Sequence, residues 1–232
     1  MTRSLNELVY EVIELYRANY QVTDSLDERL VASWIQSIRA LMLRESPESI
    51  RAIDPHNVQT LPMVELELVS AINVPTLDNG GKVLRTKREI PSLVNTKDNK
   101  LMIVRVYGTE IGGETFEPIS SNMVPYVGSG KFNGSIIYIY YYNNRFYLTS
   151  KSGIHRYIKY ITIDGVFNNP IEAYEFVNGE GSYDWDYEYP LSESLVPTMI
   201  DMIVKTKFNL VLYPPQDNVN NASDDLTNKP AK

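Results

Sequence analysis

Apolar residues recur every three or four positions at both ends of the chain and every second position in its middle, and this change of period predicts the elements. Leu5, Leu8, Val9, Val12, Ile13 and Tyr16 fall on one stripe of a helix. Ser4, with Glu7 three residues on, forms a capping box at its start. A second stripe of Leu30, Val31, Trp34, Ile35, Ile38, Leu41 and Met42 follows Ser25-Leu-Asp-Glu28, where the same box recurs, and should stop at Ser46-Pro47. Two such helices joined by a short polar link predict an antiparallel helical hairpin over residues 1–58.

The period then drops to two. Met63–Val69, Leu101–Tyr107 and Arg156–Ile163 alternate and are separated by Gly, Asn and Pro, so residues 59–190 should form an antiparallel sheet or small barrel. Asn169-Pro170 can open a brief helix through Phe176, because proline suits the first helical position. A Gly- and acid-rich loop runs from Asn178 to Tyr189. Helical spacing returns at 191–213, with Leu195, Val196, Met199, Ile200, Ile203 and Val204 facing inward on a helix from Ser192 to about Phe208 that packs on the first two. Residues 214–232 are Asn, Asp, Ser and Lys beyond Tyr213-Pro-Pro215, too polar to fold alone, and should be an extended or disordered arm. The fold class is α+β.

The densest aromatic stretch, residues 134–153, centres on Asn143-Asn144. Both central positions of a type I′ hairpin turn need positive φ, which Asn tolerates. The implied register sets Tyr142 opposite Arg145, Tyr140 opposite Tyr147 and Tyr138 opposite Thr149. One face then carries Ile137, Ile139, Tyr141, Phe146 and Leu148 and reads as core. The other carries Tyr138, Tyr140, Tyr142, Arg145 and Tyr147, residue types enriched where proteins meet, and is the candidate subunit interface. Aromatic cross-strand pairing on a half-covered face explains the same pattern without a partner.

Composition narrows the function. The 232 residues are 43% hydrophobic and 22% charged, an ordinary globular balance. Acidic residues outnumber basic ones 29 to 22, and the formal charge of −7 argues against a phosphate-neutralising nucleic-acid binder. The basic run Lys82–Arg88 reads as a solvated loop or strand edge. With no cysteine, disulfides and thiolate chemistry are excluded. The N-terminus reads as helix rather than signal peptide, and no run approaches the ~18 apolar residues of a membrane span. A soluble protein made inside the cell is expected, with no membrane partner.

Chemistry-bearing motifs are sparse. His56 and His155 have no metal-pair spacing and belong to no nucleophile motif. Gly128-Ser-Gly-Lys131 lacks the four-residue spacer and the Ser or Thr of a phosphate loop, so it reads as a turn. Asp184, Asp186 and Glu188 alternate with Trp185, Tyr187 and Tyr189 but lack the glycine and closing Glu of a calcium loop; an acidic, solvated strand edge is the simpler reading. No catalytic set, metal site or cofactor is predicted. A hydrolase using Asp184 and Asp186 has nothing further behind it.

Several phrases taken together resemble a known family. "SLNELVYEVIELYRANY", "LDERLVASWIQSIRALMLRE", "IDPHNVQTLPMVELELV", "REIPSLV" and "YPLSESLVPTMIDMIVKTKFNLVLYPPQDNVNNASDD" are similar, in that order and over most of the chain, to head–tail connector (adaptor or ring) proteins of crAss-like short-tailed bacteriophages. The resemblance implies a non-enzymatic virion protein, assembled in the host cytoplasm. It implies a homo-oligomeric, twelvefold ring that meets the portal protein and other tail ring proteins, while DNA passes through without specific binding. Twelve copies at −7 each would carry −84, and an acidic lumen offers DNA few contacts. Pro214, Pro215, Gln216, Asp217 and Asn218 become a candidate docking arm on a neighbour. The alternative from the residues alone is a carbohydrate-binding module that stacks sugars on the tyrosine face.

Overall fold

The computed structural model describes residues 3–20, 26–45, 53–70, 82–98, 100–109, 115–127 and 133–208. Within them the chain is α+β. Helices α1 (Leu5–Tyr20) and α2 (Glu28–Glu45) form the N-terminal pair. The Ser4 box closes in both directions: the Glu7 N–H donates to Ser4 Oγ at 3.2 Å and the Ser4 N–H to Glu7 Oε2 at 3.0 Å. The start of α2 differs from the expected box, and Ser25 lies outside the described residues. Asp27 caps instead, its carboxylate accepting from the Arg29 N–H at 2.9 Å, since a short acidic side chain reaches the free N–H groups of the first turn.

Seven strands follow: β1 (Gln59–Ser70), β2 (Lys82–Thr86), β3 (Ile103–Gly108), β4 (Glu117–Pro118), β5 (Tyr138–Tyr142), β6 (Arg145–Thr149) and β7 (Tyr160–Gly165). They form one sheet in the order β3-β7-β1-β2-β6-β5-β4. The sheet is mixed rather than wholly antiparallel, because β4 runs parallel to β5. The two ends of that order nearly meet. Thr115 bridges Tyr107 of β3, the Phe116 N–H donates to the Val106 carbonyl at 2.8 Å, and Glu117-Pro118 pairs with β5. A four-residue seam thus brings the sheet close to a small closed barrel.

Two strands depart from the sequence reading. The basic run Lys82–Arg88 is not a solvated edge: its first five residues are β2, hydrogen-bonded between β1 and β6, with Val83, Leu84 and Thr86 buried. Its charges are matched across the pair, Arg85 to Glu67 at 2.8 Å and Lys87 to Glu65 at 2.9 Å. Strand β7 begins at Tyr160, not Arg156, because residues 154–157 turn as a 3-10 helix. Strand β1 is bent. Its first half pairs with β7 and its second with β2, and a bulge between Leu61 and Val64 puts Met63 at φ 52°. Pro62, which cannot donate to the ladder, sits at that bulge.

The barrel interior gathers Leu61, Val64, Leu84, Val106, Phe116, Ile139, Phe146, Leu148, Ile161 and Ile163, with Phe167 and, from the helix that follows it, Ala173. Helix α3 (Pro170–Asn178) starts at Asn169, whose side chain accepts from the Ile171 N–H at 3.1 Å. Gly165 ends β7 where an added Cβ would lie 2.9 Å from Leu93 Cδ2 and 3.2 Å from the Met102 carbonyl oxygen, so a larger residue would have to push the Leu93 side chain aside. The final helical segment is not one α-helix. A 3-10 turn (Glu193–Leu195) leads into α4 (Val196–Ile203), then a π-helical turn (Val204–Phe208). Pro197 stands in the first turn of α4, where its missing N–H costs nothing. Val196, Met199, Ile203 and Phe208 pack with Leu5, Leu8, Val12, Val31 and Ile35 in a second core. The expected arm, 214–232, lies outside the described residues, as does the turn at Gly128–Lys131.

The two cores meet at Arg39, a fully buried residue of α2. Its Nε donates to the Pro190 carbonyl at 2.8 Å, Nη1 to the Phe167 carbonyl at 2.8 Å, and Nη2 to the Asn57 carbonyl at 3.3 Å. The ring of Tyr189 lies 5.8 Å beneath the guanidinium. Beside it the Ser192 N–H donates to Asn57 Oδ1 at 2.8 Å. Leu43, Val94, Met102 and Val166 seal the junction. Burial lowers the Arg39 pKa from its ordinary value, yet an arginine so bonded stays charged. Arg39→Met would leave three buried carbonyls without donors and should cost roughly 3 kcal/mol, with Arg39→Lys intermediate. Urea unfolding midpoints of the two variants check this.

Candidate assembly site

The tyrosine hairpin adopts the expected register, Tyr138 to Thr149 through Tyr142 to Arg145, with Asn143 at φ 47° and Asn144 at φ 54°. Its core face is as read: Ile137, Ile139, Phe146 and Leu148 are buried, and Tyr141 is half-buried. The opposite face is covered by the chain itself. Tyr140 and Tyr147 are 1% and 4% exposed and stack at 5.2 Å between centroids. Val83 and Val124 close over them, the latter from a 3-10 helix at Ser121–Tyr126. Tyr138 is also buried. Tyr142 is half-buried against Tyr147, and Arg145 donates to the backbone carbonyls of Thr86 and Lys87. Tyrosine suits such a position because its ring fills a core while its hydroxyl tolerates a wet rim. The same cover removes the platform on which a sugar would stack.

The acidic loop lies along the start of α1 with Asp184, Asp186 and Glu188 exposed to solvent, as expected. Asp184 accepts from the Asp186 N–H at 3.0 Å, and Asp186 accepts from the Asn6 side chain at 2.9 Å. The Asn6 N–H donates to the Trp185 carbonyl, the Tyr189 N–H donates to the Arg3 carbonyl, and Ser4 bridges Glu188. These backbone bonds, with the one between Asp186 and Asn6, hold the loop on the start of α1. Among the described residues, no three His, Asp or Glu side chains are placed to hold a metal ion. His56 is exposed and bonds Asp54 at 2.9 Å through Nδ1, whereas His155 is buried and held below its ordinary pKa by burial and then by Arg156.

Wrapping the loop onto α1 creates a cleft of about 520 Å³ that the sequence reading missed. Strand β1 and the turn before it supply Pro55, Gln59 and Pro62, and α3 supplies Tyr174 and Val177. Tyr183 and Tyr187 complete it from the loop. Tyr174 meets Tyr183 edge-on at 5.4 Å and Tyr187 at 5.1 Å, giving three rings in contact. Among the lining residues, Gln59 Oε1 and the hydroxyls of Tyr183 and Tyr189 are out of water and have no hydrogen-bond partner. Burial pushes the Tyr189 hydroxyl up to about 12 and raises Tyr183 as well. The visible signal was the spacing of Tyr183, Tyr187 and Tyr189 in a stretch noticed only for its acids.

The fold thus shows buried tyrosines, solvent-exposed carboxylates and a tyrosine-lined cleft. A sequence family described as "Phage tail ring protein 2" matches residues 7–226. The chain belongs to this family. Ring protein 2 of Bacteroides phage crAss001 is 26% identical over 226 residues, covering 95% of this chain and 97% of that protein. As a member of the tail ring protein 2 family the chain is a structural component of a bacteriophage tail, carried in the virion. The match takes in both helical core and barrel, so the family is defined by the whole subunit and not by one motif.

Two substitutions separate packing from surface. Tyr147→Ala removes a ring from the small second core of the barrel and should cost about 3 kcal/mol, while Tyr126→Ala, at a side chain 71% exposed, should change stability by less than ~0.5 kcal/mol. Thermal unfolding of both checks this. Asp54 is held low, at about 2, by hydrogen bonds from Ser192 and from the backbone and ring of His56. Its stabilisation is therefore complete above the unfolded carboxyl value of ~4 and is lost as pH falls towards 2. Asp54→Ala should flatten that acid limb, as read from urea midpoints between pH 2 and 5.

Proposed function

We propose that this chain is the repeating subunit of a ring at the head–tail junction of a crAss-like phage, twelve copies enclosing the channel through which DNA leaves. The ring lies below the portal protein and between other tail rings. The observation that carries the reading is the family match over residues 7–226. The role is mechanical, so it needs no cofactor and no active site.

Physical features support the reading. A closed ring requires heterologous contacts, in which one patch of a subunit meets a different patch on the next. Large apolar side chains stand exposed on several separate elements: Tyr10 on α1, Met63 on the β1 bulge, and Tyr126 and Tyr157 on two 3-10 turns. Of the tyrosine hairpin, Tyr142 and Arg145 are the residues at its rim and remain candidates for a subunit contact, whereas Tyr138, Tyr140 and Tyr147 would act from beneath by holding the hairpin rigid. The arm at Pro214–Asn218 is a docking element for an adjacent subunit. The formal charge of −7 per chain lets DNA pass without being gripped. Among the described residues, no helix is long and apolar enough to cross a membrane.

Size-exclusion chromatography with light scattering tests the assembly. Twelve chains of 26.5 kDa make a particle of about 318 kDa, expected either alone or on adding the portal protein. A 26.5 kDa monomer that ignores the portal overturns the proposal.

A further inference from the structure

We propose that the tyrosine-lined cleft between β1, α3 and the 183–190 loop is the seat of the Tyr213-Pro214-Pro215-Gln216 segment of a neighbouring copy. The inference rests on the ring reading and adds to it the place where the arm docks.

The chemistry of the cleft selects a proline-rich strand. Pro55, Pro62, Val177 and the contacting rings of Tyr174, Tyr183 and Tyr187 make an apolar, ridged wall. Aromatic-lined grooves of this kind take polyproline II segments, which are extended before they bind and so lose little entropy. Such a segment rises 3.1 Å per residue and leaves its carbonyls without internal donors. Tyrosine hydroxyls are natural donors to them, and those of Tyr183 and Tyr189 are buried at the wall without a partner. Gln59 Oε1, also unpartnered, needs a donor that proline lacks, and Gln216 follows the two prolines in the sequence. At about 520 Å³ the cleft is of ordinary ligand-pocket size, room for most of a short extended segment.

The ring reading favours a second copy as the donor, and chain length admits either copy. The ring of Phe208 lies 5.1 Å from Tyr16 and 6.5 Å from Trp34, towards the far end of α1. The cleft adjoins the beginning of α1, where Arg3, Ser4 and Asn6 bind the loop. The helix between Ser4 and Tyr16 spans ~18 Å at 1.5 Å per residue. Tyr213 and Gln216, five and eight residues beyond Phe208, reach ~17 and ~27 Å when fully extended, so length alone admits the chain's own segment as well as the next copy's. A closed ring needs one patch of a subunit on a different patch of the next, and this need selects the neighbour's segment. The arm would thus link successive subunits head to tail around the ring.

The absence of cysteine makes disulfide trapping clean. Full-length V177C and P214C chains, distinguished by mass tags, are mixed and oxidised; Val177 is 40% exposed at the cleft. The mixed disulfide should exceed by at least tenfold that from a Y126C and P214C mixture, where Tyr126 lies outside the cleft lining. Adding Y187A to the V177C chain should cut the yield about fivefold. No enrichment over the control overturns the proposal. So does a V177C/P214C double variant that closes on itself as an oxidised monomer, since the arm would then serve its own cleft. Light scattering of the same samples keeps the two readings apart. Rings without the mixed disulfide would remove the docking seat alone, and the mixed disulfide without rings would remove the ring alone.

Discussion

The architecture depends on one buried cation. The chain crosses between the helical core and the barrel near Asn57, Phe167 and Pro190, and the carbonyls of all three accept hydrogen bonds from Arg39. Backbone oxygens at such crossings lie outside helix and strand ladders, and burying them unpaired would each cost ~1–3 kcal/mol. A guanidinium is the side chain that can answer several at once, because its donors sit in a fixed planar fork. The Asn57 side chain extends the arrangement by accepting from the Ser192 N–H, so the approach to α4 is tied to the approach to β1. Helices and barrel are joined by directional bonds as well as by apolar packing.

A second lesson concerns the tyrosines. Side chains with polar tips and large rings have the composition of a protein interface, and they are also what a small barrel uses where one face is half wet. The hairpin face was read as a surface because alternation tells which residues share a side, not what lies over that side. The cover here is a two-turn 3-10 helix at Ser121–Tyr126, twelve residues before the hairpin strand begins, whose Val124 is its buried residue. The aromatic wall that does line an open cleft came instead from α3 and a loop with no periodicity of its own.

What was legible in the sequence was local. The Ser4 box, the Asn169 cap and the Asn143-Asn144 turn each follow from a short-range rule, and each formed as written. The register of β5 on β6 came with the turn. Long-range facts were not legible. Strand β2 was hidden because its alternate charges serve cross-strand partners on β1 and not solvent alone. The seam at Thr115–Pro118 is too short to show a period. The continuous third helix broke into 3-10, α and π turns within a stripe that still buried Val196, Met199 and Ile203. Arg39 did leave a trace: Val31, Ile35, Arg39 and Leu43 are spaced by four, so a charge occupied a core position of the stripe.

The seam has a consequence for a structural protein of a virion. A sheet with two open borders invites foreign strands to zip onto it. By lying between β3 and β5, Thr115–Pro118 covers part of each border with the chain's own backbone. A ladder added by another copy, which could lengthen without limit, then has less free edge from which to start.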